Sequence, residues 1–363
     1  MSKAAELAAL IANVNKGSSL AAKNFIQNGS FQVWQRATAA TAQTDGDYKT
    51  ADRWFGWVSG GGAYTTEKST GHLADTGHEN ALKVAVTTAD TSIASGDYYA
   101  ITHRIEAQNL QSLQYGSANA KPVTLSFWVK ATKTGINTLS LTKDDSTAIR
   151  MVKEFTINSS NTWEYKTMTF IPDSSIKTAA SAIVNDTGRG FQLNWVLKYG
   201  STYDGTADAW TTSSHFTTSN GVNNMDSTSN TFYLTGVQLE IGEKATAFEH
   251  EPYDTTLKKA SRYYTEIARA DNNTCHLVGY VQATTVARFG FDVSMRTSPT
   301  ITETNFGILY STGSEQAVTG VADITQDSQF VSFKLTTAAN LNVGEAVVLY
   351  ANGAATLTFD AEI

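Results

Sequence analysis

The stretch NTFYLTGVQLEI, from Asn230 to Ile241, leads through a polar turn to Pro252 and the segment TTLKKASRYYTEI. Aromatic and β-branched residues bounded by Asn and Gly predict a strand at this position. Proline interrupts a strand and Asp254 is a favourable helix N-cap, so we expect a helix from Thr255 to Ile267. The change from strand to helix predicts a joint between two domains.

Strand signals fill the chain before this joint. Runs rich in Val, Thr, Phe, Trp and Tyr are bounded by turn residues at Val123–Ala131, Trp163–Ile171 and Gly190–Tyr199. The turn-rich stretch 200–226 predicts a long loop. No period of about 20–50 residues repeats, which argues against a β-helix, a propeller or a solenoid. Many short strands without a repeat predict a jelly-roll β-sandwich over residues 24–253.

After the joint, apolar and polar residues alternate in three stretches, 289–295, 331–335 and 357–363. Alternation at period two places one face of a strand in a core and the other in water. We therefore expect a smaller C-terminal antiparallel β-sandwich, a tip, over residues 268–363. A linking helix over 254–267 connects it to the first domain, and Leu257, Tyr264 and Ile267 share one face of that helix.

The first residues predict a short N-terminal helix over 2–14, in which Leu7, Leu10, Ile11 and Val14 lie on one face. An isolated helix of this length is marginal in water, so it needs a surface on which to pack. That surface is either a partner protein or the helix's own domain. Residues 1–23 are therefore expected to form an attachment helix and a polar tether.

Composition narrows the function classes. The 363 residues carry 27 basic and 34 acidic side chains, a net charge of −7. Residues 265–363 hold four basic and ten acidic side chains, so neither nucleic acid nor an anionic membrane is an expected partner. No apolar run is long enough to span a membrane, and no membrane insertion is expected. Glu6 interrupts the apolar start, so we expect synthesis in a cytoplasm without a signal peptide.

Catalytic and metal-binding signatures are not found in the sequence. Cys275 is the only cysteine, which excludes an internal disulfide and a cysteine-based zinc site. No phosphate-binding loop, G-x-S-x-G or H-E-x-x-H motif occurs, and the histidines are scattered. Asp144 and Asp145 are neighbours that a strand would point to opposite faces, so they do not form a catalytic pair. We expect no enzymatic activity and no cofactor.

Three stretches carry a resemblance. KNFIQNGSFQVWQRA (23–37), followed by TADRWFGW (50–57), resembles the opening of a β-sandwich domain common in bacteriophage tail fibres and other virion proteins. FYLTGVQLEIGEKATAFEHEPYDTTLKKASRYY (232–264) is similar to the closing segment of that domain and the helix after it. MSKAAELAALI (1–11) resembles the tail-attachment end of fibres from short-tailed phages of marine cyanobacteria. The sandwich itself resembles jelly-roll carbohydrate-binding modules.

The resemblance implies a tail fibre that is part of the virion tail. Its N-terminus would bind tail adaptor or nozzle proteins, and its β-domains would bind a glycan of the host surface. It also implies a homotrimer with the linking helix near the three-fold axis, because several tethered sites retain a weakly bound sugar. The alternatives are a structural virion protein without a receptor role (a head fibre or tail spacer), a glycan-cleaving tail protein, and a cellular carbohydrate-binding protein.

Related carbohydrate-binding modules often hold a structural calcium ion. The closing strand at 233–237 lacks the acidic pair that such modules tend to carry, so calcium is not favoured here. Asn28 and Glu240 are the remaining candidate oxygen ligands. The sequence leaves the metal content unknown.

Two stretches of the sandwich combine aromatic rings with polar neighbours, as sugar-binding sites require. KYGSTYDGTADAW supplies Tyr199, Tyr203, Asp204 and Trp210. GWVSGGGAYT supplies Trp57 and Tyr64 around three consecutive glycines. The same rings could instead cap the core or lie in a subunit interface, where Trp and Tyr are also enriched.

Two further expectations concern loops and the TADRWFGW motif. Receptor contacts are expected on tip loops 310–316, 325–329 and 350–356, which contain Glu315, Gln316 and Asn352. In TADRWFGW, Asp52 and Arg53 are expected to pair. The three aromatic residues that follow them, at 54, 55 and 57, are expected to fill the core.

Overall fold

The computed structural model describes residues 24–269, 275–292, 294–310, 315–326, 330–338 and 341–363. The predicted attachment residues Leu7, Leu10, Ile11 and Val14 lie outside these ranges. The strands are β1 (Ala39–Gln43), β2 (Trp54–Ser59), β3 (Ala63–Thr70), β4 (Asn80–Thr88), β5 (Tyr98–Glu106), β6 (Val123–Ala131), β7 (Gly135–Lys143), β8 (Ile149–Ile157), β9 (Glu164–Phe170), β10 (Arg189–Tyr199), β11 (Thr231–Ile241), β12 (Tyr264–Arg269), β13 (Cys275–Ala283), β14 (Val286–Phe291), β15 (Thr300–Tyr310), β16 (Glu315–Gln326), β17 (Val331–Thr337) and β18 (Ala346–Asp360). The α-helix in the described ranges is α1 (Tyr253–Ser261).

The chain is all-β and divides into two compact units. The first comprises 24–31, 39–47 and 54–251, and the second comprises 32–38, 48–53 and 252–363. The second unit therefore contains two short segments that the sequence interpretation assigned to the first domain. None of the helices among the described residues is long and apolar enough to cross a membrane.

The first unit is a jelly-roll sandwich of two antiparallel sheets. One sheet has six strands in the order β1-β3-β4-β11-β6-β9, and the other has five in the order β2-β5-β10-β7-β8. Phe127 of the six-stranded sheet packs on Trp195 of the five-stranded sheet, with ring centroids 5.8 Å apart. Trp54 extends this contact, 5.3 Å from Trp195 and 4.6 Å from Phe31. Both sheets thus bury one face in a shared aromatic and aliphatic core.

The opening and closing motifs of the sandwich meet in this unit. The Phe25 N–H donates to the Leu239 carbonyl at 2.9 Å, and the Val237 N–H donates to the Gly29 carbonyl at 2.9 Å. Asn24 donates from Nδ2 to the Val237 carbonyl and accepts from the Leu239 N–H. The opening and closing motifs are therefore joined to each other by hydrogen bonds, and this pairing explains their residue types.

Gly236 produces an irregularity in the closing strand. The register between β11 and β6 shifts between Thr235 and Gln238, and Gly236 there has a φ of +58°. A Cβ at this position would come within 2.8 Å of Nε2 of His78. Glycine is the residue that tolerates both the left-handed backbone and the close approach.

The second unit is built on a closed sheet. Strands β18, β13, β14, β17, β16 and β15 pair in that order, and β15 pairs again with β18, while β12 pairs with the second half of β18. A sandwich of two separate sheets was expected here. The 15-residue β18 explains the difference, because it has strand partners along both edges and so leaves no edge to separate two sheets.

The linking helix is shorter than predicted. α1 ends at Ser261, and Tyr264 and Ile267 lie in β12, opposite Asp360 and Leu357 of β18. Leu257 remains helical and half-buried. The prediction that Tyr264 and Ile267 continue the helix is wrong because pairing with β18 outweighs a helical period that aromatic and β-branched residues support only weakly.

The TADRWFGW motif also differs from expectation. Arg53 forms an ion pair with Glu362, and its guanidinium lies 3.5 Å from the centre of the Tyr263 ring. Asp52 accepts hydrogen bonds from the backbone and side chain of Gln35. These contacts lie in the second unit.

Of the three aromatic residues in that motif, Trp54 alone enters the core. Because side chains alternate along β2, Phe55 and Trp57 project from the opposite face and are half-buried. The expectation that all three rings fill the core was therefore wrong for two of them.

Candidate functional site

The outer face of the five-stranded sheet is the face that points away from the core, and it carries a row of polar side chains. Arg104, Gln192, Thr142 and Arg150 occupy paired positions on the adjacent strands β5, β10, β7 and β8. Paired residues project to the same face, and neighbouring strands lie about 4.8 Å apart. The four side chains therefore form a continuous strip across the sheet.

A second row beside the first forms a hydrogen-bonded floor. Thr102 Oγ1 donates to Asn194 Oδ1 at 2.8 Å, and Asn194 Nδ2 donates to Ser140 Oγ at 2.9 Å. Gln192 Nε2 donates to Asn194 Oδ1 at 3.0 Å and so joins the two rows. The side chains of this floor are buried, and Phe55 stands at its β2 end, paired with Thr102.

Charged groups concentrate at one end of the outer face. Arg189 holds Asp144 with two contacts, Nε to Oδ2 at 2.7 Å and Nη2 to Oδ1 at 3.2 Å. Arg189 Nη1 and Arg104 Nε both donate to Oε1 of Gln192, at 3.0 and 3.2 Å. Three guanidinium groups, counting Arg150, thus surround one carboxylate.

Burial changes the acid–base properties of this cluster. It raises the pKa of Asp144 above the usual range, although the nearby Arg189, Arg150 and Arg104 each lower it. Burial also lowers the pKa of Arg150, with Asp144 opposing and Arg189 adding to the shift. The charges therefore lie in surroundings of low polarity, where each is stabilised less well than in water.

An aromatic cluster occupies the other end of the outer face. The ring of Tyr98 lies 5.4 Å from Trp57, 5.8 Å from Tyr199 and 6.1 Å from Tyr203. Phe216, from the long loop, lies 5.9 Å from both Tyr199 and Tyr203. Trp57, Tyr98, Tyr203 and Phe216 are half-buried, so each exposes part of its ring.

The long loop after β10 borders the outer face on the β8 side. Thr217 Oγ1 lies 2.9 Å from Thr138 Oγ1 of β7, and the loop backbone pairs with β8 through Thr211 and Arg150. Asp204 bridges to Thr217 inside this loop. The loop thus forms one wall of the site, and Phe55 and Trp57 of β2 form the other.

The structure brings together three of the predicted sandwich residues and excludes two. Trp57, Tyr203 and Asp204 lie at the aromatic end of the outer face. Tyr64 is completely buried and donates from its hydroxyl to the Ala100 carbonyl at 3.0 Å, and Tyr199 is 3% exposed. The prediction of exposed rings was wrong at Tyr64, which is completely buried, and at Tyr199, which is buried among the other rings of the outer-face cluster.

Trp210 lies away from this cluster. Its indole N–H donates to the Ile171 carbonyl at 2.7 Å, and its ring centre lies 6.5 Å from that of Phe170, at the end of β9. The half-buried ring therefore covers the edge of the sandwich, which is a structural role.

The predicted tip residues belong to strands in the described ranges. Glu315 accepts a hydrogen bond from the Tyr350 hydroxyl at 2.6 Å, and Gln316 pairs with Ile308. The expected loop 350–356 lies within β18, which pairs with β15 on both sides of the stretch, at Ala351 and at Thr356. The register shifts between these two positions, and Gly353 has a φ of +86° there. The side chain of Asn352 lies outside the described residues.

The sequence interpretation missed the arginines and amides of the outer face. A usable signal was present in GFQLNWVL, where Phe191, Leu193 and Trp195 alternate with Gln192 and Asn194. Amide side chains on the second face of a central strand need partners on that face, so they indicate a polar site. Arg104 and Arg150 interrupt apolar runs in the same way.

The candidate calcium ligands have protein partners. Glu240 Oε1 accepts from the Thr246 N–H and from Gln238 Nε2, both at 2.8 Å, and Oε2 accepts from the Thr246 hydroxyl at 2.7 Å. Within the described ranges, no group of three His, Cys, Asp or Glu side chains could hold a metal ion.

Comparisons with known proteins found similar structures only at low sequence identity. No family model matches the sequence. No curated protein matches it. A protein of Bacteroides thetaiotaomicron assigned to sugar binding is 10% identical, with a TM-score of 0.36 over 60% of this chain and 100% of that one. A family 11 carbohydrate-binding module of a Clostridium thermocellum cellulase is 12% identical, with a TM-score of 0.29 over 57% of this chain and 98% of that one.

A phage protein is also among the similar structures. The enzymatically active domain of tailspike protein 4 of bacteriophage CBA120 is 12% identical, with a TM-score of 0.30 over 61% of this chain and 22% of that one. All of these likenesses are weak. The structural neighbours thus include carbohydrate-binding modules and a phage tailspike domain.

Proposed function

We propose that this chain is a non-enzymatic tail-fibre protein of a virion that binds a host-surface glycan on the outer face of the five-stranded sheet. The observation that carries the proposal is the adjacency of a polar floor and partly exposed rings on one sheet face. Amide, hydroxyl and guanidinium groups bond sugar hydroxyls, and aromatic rings pack against the apolar face of a sugar ring. The partly exposed Arg104, Phe55 and Trp57 supply these groups, and the buried Asn194 and Gln192 lie beneath them.

Binding suits this face better than glycan cleavage. The described carboxylates Asp144, Glu106 and Glu154 near the polar rows are each engaged by the protein. Asp144 is held by Arg189, Glu106 accepts a hydrogen bond from Gln108, and Glu154 accepts hydrogen bonds from Thr218 and Asn220. A hydrolase needs one carboxyl group for the proton and a second for water or the sugar.

The test of glycan binding uses the whole chain on an array of bacterial lipopolysaccharide and capsule glycans. Trp57→Ala should weaken binding to the retained glycans about tenfold, since one aromatic contact contributes about 0.5–1.5 kcal/mol beyond its buried area. Tyr165→Ala is the matched control, because Tyr165 is an exposed ring, 44% accessible, on the other sheet. Equal binding by wild type and Trp57→Ala would remove the outer face from the proposal.

Attachment to the virion is proposed from the sequence resemblance. The N-terminus would bind a tail adaptor or nozzle protein, and the assembly would be a homotrimer made in the host cytoplasm. Light scattering of the full chain should give three times the chain mass of 39.1 kDa. A monomer at micromolar concentration contradicts the trimer. A folded oligomer that retains no glycan but binds virion proteins favours the structural alternative.

A further inference from the structure

The charged end of the outer face is positive in a protein that is negative overall. Arg104, Arg150 and Arg189 all lie near the Asp144 carboxylate, and Arg189 is also paired with Glu106 across β10 and β5. Glu106 is fully buried and accepts a hydrogen bond from Gln108. The cluster therefore keeps one positive charge in excess, whereas the whole chain carries −7.

Four polar atoms of this cluster are buried without a hydrogen-bond partner among the described residues. Two of them, Nε of Arg189 and Oδ2 of Asp144, face each other as an ion pair at 2.7 Å. The other two are Nε of Arg150 and Oγ1 of Thr142, whose residues are directly paired across β8 and β7. The remaining contacts of Arg150 are weak. Nη1 lies 3.4 and 3.5 Å from the carbonyls of Thr212 and Ser213, and the guanidinium lies 4.9 Å from the centre of the Phe216 ring.

A guanidinium group that lacks some of its hydrogen bonds in low-polarity surroundings contributes little to the stability of the fold. Leaving a buried donor unsatisfied costs free energy, and an anionic acceptor restores both the hydrogen bond and the charge balance. Arg189 stands beside this position with about a third of its side chain exposed, 35%. The arrangement fits an acceptor that carries a full negative charge better than it fits a sugar hydroxyl.

We propose that the outer face selects an acidic glycan, whose carboxylate or sulfate group is bound by Arg150 and Thr142 with Arg189 beside them. The inference rests on the proposed function, since it specifies the ligand class of the same face. A uronic acid and a sulfate ester share the required chemistry. The neutral part of the glycan extends along the row toward Phe55 and Trp57.

The experiment compares glycans that differ only in charge. One pair is an oligogalacturonide and its carboxyl-reduced form, and the other is a sulfated galactan and its desulfated form. The full chain should bind at least one charged member about tenfold more tightly than its neutral counterpart. This preference should shrink as the salt concentration rises from about 0.05 M to about 0.5 M, because screening weakens attraction between partly exposed charges.

Substitutions assign the preference to the cluster. Arg150→Gln should remove most of the charge preference, because it should weaken binding of the charged member about tenfold and binding of the neutral member much less. Lys177→Gln removes the same charge from an exposed position of the same unit, so it should keep the preference. Circular dichroism and melting temperature establish that each variant is folded.

Each outcome separates the two proposals. If the neutral and acidic members bind equally, the acidic-glycan inference is wrong while glycan binding stands. A preference that survives in Arg150→Gln places the anion elsewhere and overturns the site. If no member of either pair binds, both proposals fail for these glycans. The carboxylate and sulfate pairs separately identify which anion is selected.

Discussion

Arg53 and Arg150 have opposite surroundings. Arg53, in the second unit, is 1% exposed, pairs with Glu362 and stacks on Tyr263. Although burial alone would lower the pKa of Arg53, the Glu362 carboxylate and nearby tyrosines raise it above its ordinary value. Arg150, in the first unit, has a buried Nε without a partner, and burial lowers its pKa.

The difference separates a charge that stabilises the fold from a charge available to a ligand. An enclosed guanidinium with a carboxylate and stacked rings has all its interactions inside the protein. A half-enclosed guanidinium with an unbonded donor completes its interactions through another molecule. Completeness of bonding therefore predicts which arginine matters for stability and which for binding.

The largest effect is expected for the enclosed pair. Glu362→Gln should reduce the free energy of unfolding of the second unit by about 3–5 kcal/mol, because it leaves Arg53 charged and buried without its carboxylate. Scanning calorimetry of the full chain measures this loss. Asp292→Asn, an exposed carboxylate of the same unit, is the control and should change stability little. A loss below about 1 kcal/mol would show that the pair does not stabilise the unit.

A pH titration extends the comparison to a buried group that is kept neutral. Burial, together with a smaller effect of the adjacent His250, lowers the pKa of His78 to about 4. Between pH 6.5 and pH 4, His78 binds a proton in the unfolded chain but stays neutral in the folded chain. Stability that is present above pH 6.5 is therefore lost as the pH falls toward 4, by roughly 3 kcal/mol.

The measurement is the melting of the first unit between pH 7 and pH 4. His78→Gln should flatten its pH dependence over this interval, whereas His215→Gln, in the long loop, should not. An unchanged profile in His78→Gln would mean that other groups cause the acid sensitivity.

These contrasts also show how far the sequence predicts the fold. The predicted strand Val123–Ala131 coincides with β6. The predicted strands 163–171, 190–199 and 230–241 begin and end within one residue of β9, β10 and β11. Local pattern suffices where a strand faces a core on at least one side. These predictions, and the all-β class, are confirmed.

What the sequence does not predict depends on distant partners. Tyr264 and Ile267 are strand residues because they pair with β18, far along the chain. Asn352–Gly353 lie within β18 because the positions on either side of them pair with β15. Arg53 pairs with a residue 309 positions away. The site was found only in part, since Trp57 and Tyr203 have visible aromatic signals whereas Arg150 depends on register across four strands.

The closing strand offers a test of local backbone strain near His78. Gly236→Ala should destabilise the first unit by about 2 kcal/mol, because alanine disfavours a φ of +58° and its Cβ would crowd His78. Urea denaturation measures the loss. Gly71→Ala is a demanding control, since Gly71 also has positive φ, +78°, but its Cβ would meet no atom within 4 Å. Equal losses at both positions would attribute the effect to backbone conformation alone.

The smallest stability effect is expected at Arg150, and it is the sharpest test of the comparison. Its buried Nε lacks a partner, so Arg150→Gln removes an unfavourable buried group together with weak contacts to Thr212, Ser213 and Phe216. The two contributions oppose each other, and the free energy of unfolding should change by less than about 1 kcal/mol. Urea denaturation of Arg150→Gln beside Arg53→Gln compares the two arginines directly. If Arg150→Gln destabilised the chain as much as Arg53→Gln, Arg150 would be a structural residue, and incomplete bonding would not mark a binding site in this protein.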